Sequence, residues 1–189
     1  MQDIELSNVS LNYGFAKTVL DGASMTLNSG EKIALVGDNG TGKTSILRLI
    51  AGEETPTSGM VSKRRDATIG YLKQMPVGVN GDLSVRQFIE YRNGELGMLA
   101  FKLHELENKL ADSSLDPKEM DRVMREYGNV QAKFMDLDGY SVPSQIDKVA
   151  ADMGISELLD QNYNDLSEGK KTIVALATTL LSHPDVLLL

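Results

Sequence analysis

The chain has 189 residues, 41% of them hydrophobic, enough for one large globular domain or one domain carrying an insertion. A formal net charge of −8 argues against binding polyanions over the whole surface, though it leaves room for a local basic patch. With no cysteine there is no disulfide and no thiolate metal site, which fits a reducing compartment.

Met1-Gln2-Asp3-Ile4-Glu5-Leu6 lacks the basic and long apolar regions of a secretory signal, and no run approaches the ~18 apolar residues of a membrane span. A cytoplasmic protein without direct membrane insertion is therefore expected. Ile4, Leu6, Val9, Leu11 and Tyr13 mostly alternate with polar residues, which predicts a strand pair with one solvated face. Asn12-Tyr13-Gly14 reads as a turn. More strand follows through Val19-Leu20, Met25 and Leu27 to Asn28-Ser29-Gly30.

The organising stretch comes next: Ile33-Ala34-Leu35-Val36, then Gly37-Asp38-Asn39-Gly40-Thr41-Gly42-Lys43-Thr44, then the helical pattern Ile46, Leu47, Leu49, Ile50. It predicts a strand, a phosphate loop and a helix, and fits G-x-x-x-x-G-K-[ST]. Polyphosphate needs several backbone N–H groups converging on it, so the loop must approach without Cβ obstruction, and Gly37, Gly40 and Gly42 supply that. The helix start aims its unpaired amides and positive dipole end at the anion. Lys43 adds a mobile charge for the β- and γ-phosphates, and the Thr44 hydroxyl can ligate Mg²⁺.

The helix ends at Gly52 and a loop runs to Gly59. Met60-Val61 and Thr68–Leu72 read as short strands. Lys63-Arg64-Arg65-Asp66 between them reads as a solvated hairpin tip rather than a binding patch. Gln74, after the second strand, suits either a Mg²⁺ ligand beside a nucleotide or a surface loop residue. From Ser84 to about Ala111 the pattern is helical, and Leu96, Leu99, Leu103, Leu106 and Leu110 form an a/d seam. Asp116-Pro117-Lys118-Glu119 is a helix start, with Asp116 as cap and Glu119 placed for a capping box. The next helix carries Met120, Val123, Met124, Tyr127, Val130, Phe134 and Leu137 on one face and ends at Asp138-Gly139. Two seams joined by a short loop predict an antiparallel hairpin of more than about 30 Å, at 1.5 Å per residue, read as a partly projecting arm rather than helices packed on the body.

Residues 144–160 read as another amphipathic helix and turn. Tyr163–Thr172 is a polar loop running into a helix from Thr172 to Leu181, a second helix start able to hold an anion. His183 suits the free carbonyls at that helix end, and His104 reads as solvated. Val186-Leu187-Leu188-Leu189 begins a fully buried strand.

Taken together, these residues resemble the ATP-binding-cassette (ABC) ATPases. Gly37–Thr44 looks like their Walker A motif, and Tyr13 lies 30 residues before Lys43, where the family stacks an aromatic on adenine. Gln74 matches the Q-loop, Leu166-Ser167-Glu168-Gly169-Lys170 resembles the LSGGQ signature, and His183–Leu189 resembles the approach to Walker B. The resemblance implies an α/β P-loop nucleotide-binding domain with an antiparallel β subdomain, a helical subdomain and an inserted helical hairpin. Residues 1–83 would form the first part of the core, 84–140 the inserted hairpin, and 141–189 the helical subdomain with the signature. It implies that Tyr13, Gly37, Asn39, Gly40, Thr41, Gly42, Lys43, Thr44 and Ser45 hold ATP, that Thr44 and Gln74 meet Mg²⁺, that Lys43 and Gln74 serve hydrolysis, and that Ser167 and Gly169 contact ATP on a second ABC domain.

The insertion between Gln74 and Leu166, together with Leu137-Asp138-Gly139-Tyr140 and Tyr163-Asn164-Asp165-Leu166-Ser167, is similar to the first ATPase domain of ABC-F proteins. Those carry two ATPase domains in one chain without a membrane domain and act on ribosomes, in translation or antibiotic resistance, through an arm that touches ribosomal RNA or protein. Residues 85–138 hold 8 Lys/Arg against 11 Asp/Glu, so charge adds no independent support for RNA contact. The ATPase subunit of a membrane transporter is the alternative. Glu168 departs from the signature by replacing a glycine, and its charge would repel a γ-phosphate. Ile173 stands where a basic residue is common. The Walker B Asp, catalytic Glu and switch His of the family would follow Leu189. The 189 residues therefore read as a fragment expected to lack hydrolysis by itself.

Overall fold

A computed structural model describes residues 1–13, 17–72, 82–111 and 115–189. The chain divides into two compact units, Met1–Leu72 with His183–Leu189, and Lys73–Ser182.

The first unit is built on an antiparallel sheet in the order β2-β1-β3, from β1 (Gln2–Tyr13), β2 (Lys17–Asn28) and β3 (Ser58–Lys63). The buried apolar residues of β1 are Ile4, Leu6, Val9 and Leu11, so the apolar alternation skips one position. The skip is a bulge: register shifts between Leu6 and Val9 against β2 and between Ser7 and Ser10 against β3, with Asn8 at φ 49°. One extra residue moves the inward set from even to odd numbers and keeps both halves on the core. Leu49 and Ile50 of α1 (Lys43–Ala51) close that core with Val186 and Leu188.

The parallel part is the pair β4 (Ile69–Tyr71) and β5 (Val186–Leu188), aligned Ile69 to Val186 and Tyr71 to Leu188. Two expectations change here. Ile33–Val36 forms no strand; Ile33 is 48% and Val36 91% exposed. A strand exists only through its ladder, and none of the described strands pairs with this run. β5 is buried on one face only, since Leu187 is exposed.

The Lys63–Asp66 segment is also not a solvated hairpin tip, because β3 and β4 belong to different sheets. Arg64 Nε donates to Asp3 Oδ1 at 2.8 Å and Arg64 Nη2 lies 3.1 Å from Asp185 Oδ1. Asp3 also accepts from the Ser29 hydroxyl, and Asp185 from the backbone N–H and hydroxyl of Thr68. The Ser29 hydroxyl first and the guanidinium second hold the Asp3 carboxyl below its ordinary range. Asp185 is lowered by Thr68 first and Arg64 next. Lowered carboxylates stabilise the fold above their unfolded pKa near 4 and lose that contribution as pH falls through the folded values. Arg64→Met is therefore expected to be less stable than the parent at pH 7, with the two converging below about pH 4 in urea melts. A constant offset at every pH would show that Arg64 acts through packing alone.

The second unit is helical. Ser84 caps α2 (Val85–Tyr91) in a full capping box with Gln87. The continuous helix expected from Ser84 to Ala111 breaks at Arg92-Asn93, and Gly94 takes φ 53° before α3 (Gly94–Leu110) proceeds. The expected pair is present: Leu103 and Leu106 of α3 are buried, as are Val123 and Phe134 of α4 (Pro117–Asp136). Lys102 pairs with Glu126 and Glu95 with Lys133, partners that run in opposite order and fix an antiparallel register. Asp116 caps α4 through the amides of Lys118 and Glu119.

α5 (Val142–Asp152) and α6 (Glu168–Leu181) complete the unit. At the end of α6 the Ser182 hydroxyl bonds the Thr179 carbonyl, while His183 takes the left-handed φ of 45° that stops the helix. His104 is 73% exposed, as expected. Phe88 stacks on Tyr163 at 3.7 Å, in a core with Val85, Ile146 and Val174.

A Cβ at Gly97 of α3 would lie 2.4 Å from the carbonyl oxygens of Glu90 and Tyr91, so only glycine lets α3 approach the end of α2. Gly97→Ala should cost about 1–3 kcal/mol. Gly128→Ala in α4, where an added methyl meets nothing within 4 Å, should instead gain about 0.5–1 kcal/mol. Urea melts of the two variants check the opposite signs.

Candidate nucleotide-binding site

The loop 37–42 delivers the chain into α1 through Gly42, at φ 92°. A Cβ there would lie 2.8 Å from Leu20 Cδ2 and 3.0 Å from the Val19 carbonyl oxygen, so both backbone and space demand glycine. The first intrahelical bond runs from Ile46 N–H to the Gly42 carbonyl. The amides of Lys43, Thr44 and Ser45 lie ahead of it, where a helix keeps its unpaired donors. No side chain caps this end and no acidic residue stands in its first turn, so it is left for an anion from outside.

Lys43 lies on the loop itself. Its ammonium donates to the Gly37 carbonyl at 2.8 Å and the Asp38 carbonyl at 2.7 Å. The Thr41 hydroxyl and amide bond the same Asp38 carbonyl, while Asn39 and Gly40 are exposed on the outer bend. Ser45 is buried and Thr44 half-buried behind the loop. Amides and an ammonium at a helix start with no acidic residue in its first turn suit a polyphosphate. The Thr44 hydroxyl adds an oxygen donor of the kind magnesium takes, and among the described residues no group of three His, Cys, Asp or Glu could hold a metal by itself. A Mg²⁺ ion here would rest on the Thr44 hydroxyl and on phosphate oxygens, the usual sharing for that ion.

Tyr13 stands at the end of β1, 48% exposed, with its hydroxyl donated to Glu54. Gln74 lies outside the described residues. The signature residues sit in the second unit, and the helix there starts at Glu168, four residues earlier than Thr172. Ser167 is its N-cap, accepting from Lys170 N–H at 3.5 Å. That cap is what draws Glu168–Lys171 into the first turn. A Cβ at Gly169 meets nothing within 4 Å, so this helix start is open. The Glu168 side chain is 83% exposed and turns back along its own helix, 3.2 Å from Lys171 Nζ.

A family model described as ABC transporter matches residues 20–189. The chain belongs to the ATP-binding-cassette family. The ABC chain is 32% identical over 186 residues to the ABC transporter ATP-binding protein YfmM of Bacillus subtilis, covering 97% of this chain and 35% of that one. It is 34% identical to the tylosin resistance ATP-binding protein TlrC of Streptomyces fradiae, over 92% of this chain and 31% of TlrC. To the energy-dependent translational throttle protein EttA of Escherichia coli K12 it is 32% identical, over 90% and 30%. The chain thus spans about a third of the length of these relatives. Among solved structures, a nucleotide-free ATP-binding cassette from an ABC transporter superposes at TM-score 0.64 with 18% identity, over 99% of this chain and 68% of that one. CbiO1 of Clostridium perfringens, part of the transporter complex CbiONQ, does so at 0.61 with 22% identity, over 98% and 64%. These likenesses establish the ABC ATPase fold. Among the described residues, no helix is long and apolar enough to cross a membrane.

The glycine loop and helix start at residues 37–45 were legible in the sequence, but the long-range contacts around Tyr13 and Arg64 were not. Glu54 beside Tyr13, and Asp3 and Asp185 around Arg64, meet across long stretches of chain, and no local spacing marks them.

Proposed function

We propose that this chain is the first ATPase domain of an ABC-F type protein that acts on the ribosome, in translation or in protecting the ribosome from an antibiotic. The observation that carries the reading is the antiparallel α3–α4 pair inserted between the Gln74 segment and the signature helix α6. The relatives named for tylosin resistance and for translational throttling support it. In this reading the amides of residues 43–45 and the Lys43 ammonium hold the phosphates. Thr44 and Gln74 face magnesium, which would neutralise charge on the transferred phosphoryl group. Ser167 and Gly169 meet ATP held by a second ABC domain, and hydrolysis opens the closed pair. The Glu168 carboxylate is turned toward Lys171, at 3.2 Å from its ammonium. The protein works in the cytoplasm.

The transporter reading is favoured by the family description and by the solved transporter subunits. Ribosome co-sedimentation of the intact gene product decides between them, run with a slowly hydrolysed ATP analogue and with residues 96–137 present or deleted. Nucleotide-dependent sedimentation that the deletion abolishes is the expected result. Recovery with membranes, and none with ribosomes, would replace the ABC-F reading with the transporter one.

A further inference from the structure

The Tyr13 hydroxyl is bonded to a residue outside the Walker A, Q-loop and signature segments of this chain. Its acceptor is Oε1 of Glu54, two residues beyond the Gly52 cap of α1. Arg48 of α1 forms an ion pair with the same oxygen, its Nη1 at 3.6 Å. Burial works against the Arg48 charge, yet Glu54 and the Tyr71 side chain beside it outweigh that and raise its pKa. The Glu54 side chain is only 18% exposed. Its Oε2 is buried with no hydrogen-bond donor among the described residues. A carboxylate drawn this far from water is costly, and one held so by an arginine and a tyrosine has a fixed place.

The loop around it is fastened to the same strand. Thr57 N–H donates to the Ser10 carbonyl at 2.8 Å, and Asn12 N–H to the Thr57 hydroxyl at 3.0 Å. Tyr13 therefore combines a half-exposed ring with a tethered hydroxyl. A free tyrosine loses rotamer freedom when it stacks on a base, whereas a tethered one has lost it already.

We propose that Glu54 is a positioning residue for nucleotide binding, fixing the Tyr13 ring so that it is presented in advance to the purine base. The proposal rests on the reading of Tyr13 as the base-stacking residue. Glu54 touches no nucleotide; it acts through the tyrosine hydroxyl, and Arg48 keeps it in place.

The test is an equilibrium titration of the intact gene product with Mg²⁺-ATP and, separately, with Mg²⁺-tripolyphosphate, which has the phosphates but no base. Glu54→Leu removes the acceptor, Glu54→Gln keeps one, and Tyr13→Phe removes only the hydroxyl. Glu54→Leu and Tyr13→Phe are each expected to weaken ATP about two- to tenfold, the range set by ordering one side chain. The double variant should be no weaker than either single one, because both break the same bond. Glu54→Gln should recover most of the affinity, and tripolyphosphate binding should be unchanged throughout. Equal losses for ATP and tripolyphosphate, additive losses in the double variant, or no loss in Tyr13→Phe would overturn the proposal. Tyr13→Ala separates the two layers. If it lowers ATP relative to tripolyphosphate while Glu54→Leu does not, Tyr13 stacks and Glu54 is dispensable. If Tyr13→Ala leaves that ratio unchanged, the stacking reading falls and this proposal with it.

Discussion

The Lys43→Ala variant is expected to bind ATP about a hundredfold more weakly than the parent, or worse, in an equilibrium titration. In the proposed site the ammonium would make charge-assisted bonds to phosphate oxygens, each worth about 1.5–3 kcal/mol. Part of that gain is already spoken for. Without a ligand the same group bonds the carbonyls of Gly37 and Asp38 at 2.8 and 2.7 Å, so phosphate must displace two neutral partners. The net loss then sits near the lower end, about 2.7 kcal/mol, a hundredfold in affinity. Lys43→Arg should not restore binding, because a planar guanidinium cannot fit where a compact ammonium closes the loop. The melting temperature should hardly move, since these bonds lie at the surface. Unchanged ATP affinity in Lys43→Ala would remove residues 37–44 as the phosphate site.

How much of this could be read from the sequence depends on how far apart the cooperating residues lie. The glycine loop at 37–42 was legible because adjacent residues fix its geometry. Gly42 sets the turn, and the amides of 43–45 follow from the helix start. The hairpin was legible for a similar reason, since its leucines recur at helical spacing and Asp116 caps locally. Ile33–Val36 was misread because an apolar extended run says nothing about whether a neighbouring strand will pair with it. The break at Arg92–Gly94 was missed because the apolar seam runs on through it. The tie from Tyr13 to Glu54 spans 41 residues and that from Asp3 to Arg64 spans 61, distances over which side-chain pattern carries no signal.

The largest stability effect is expected in the second unit, from Phe88→Ala. Phe88 is 2% exposed, and its ring lies parallel to Tyr163 within 6°, centroids 3.7 Å apart. Truncation there loses both the transfer of an aromatic ring from water and the packing of the cavity left behind, together about 3–5 kcal/mol. Against a whole-domain stability of roughly 5–15 kcal/mol, that is a large share. The partner ring gives the contrast. The Tyr163 hydroxyl is buried without a hydrogen-bond partner among the described residues, and burial, foremost, pushes its pKa up. Tyr163→Phe removes only that unpaired hydroxyl and keeps the stack, so it should be neutral or slightly stabilising. Urea unfolding of the two variants reads the difference directly. If Tyr163→Phe proved the costlier of the two, the hydroxyl would have a partner in solution and the stack would not be the anchor of this core. The function of the signature is at stake as well. Tyr163 begins the turn Tyr163–Asp165 that leads to the Ser167 cap, so the ring pair anchors the chain just ahead of the open start of α6. Phe88→Ala should therefore loosen Ser167 and Gly169, raising amide hydrogen exchange over residues 163–170 before the rest of α6 responds.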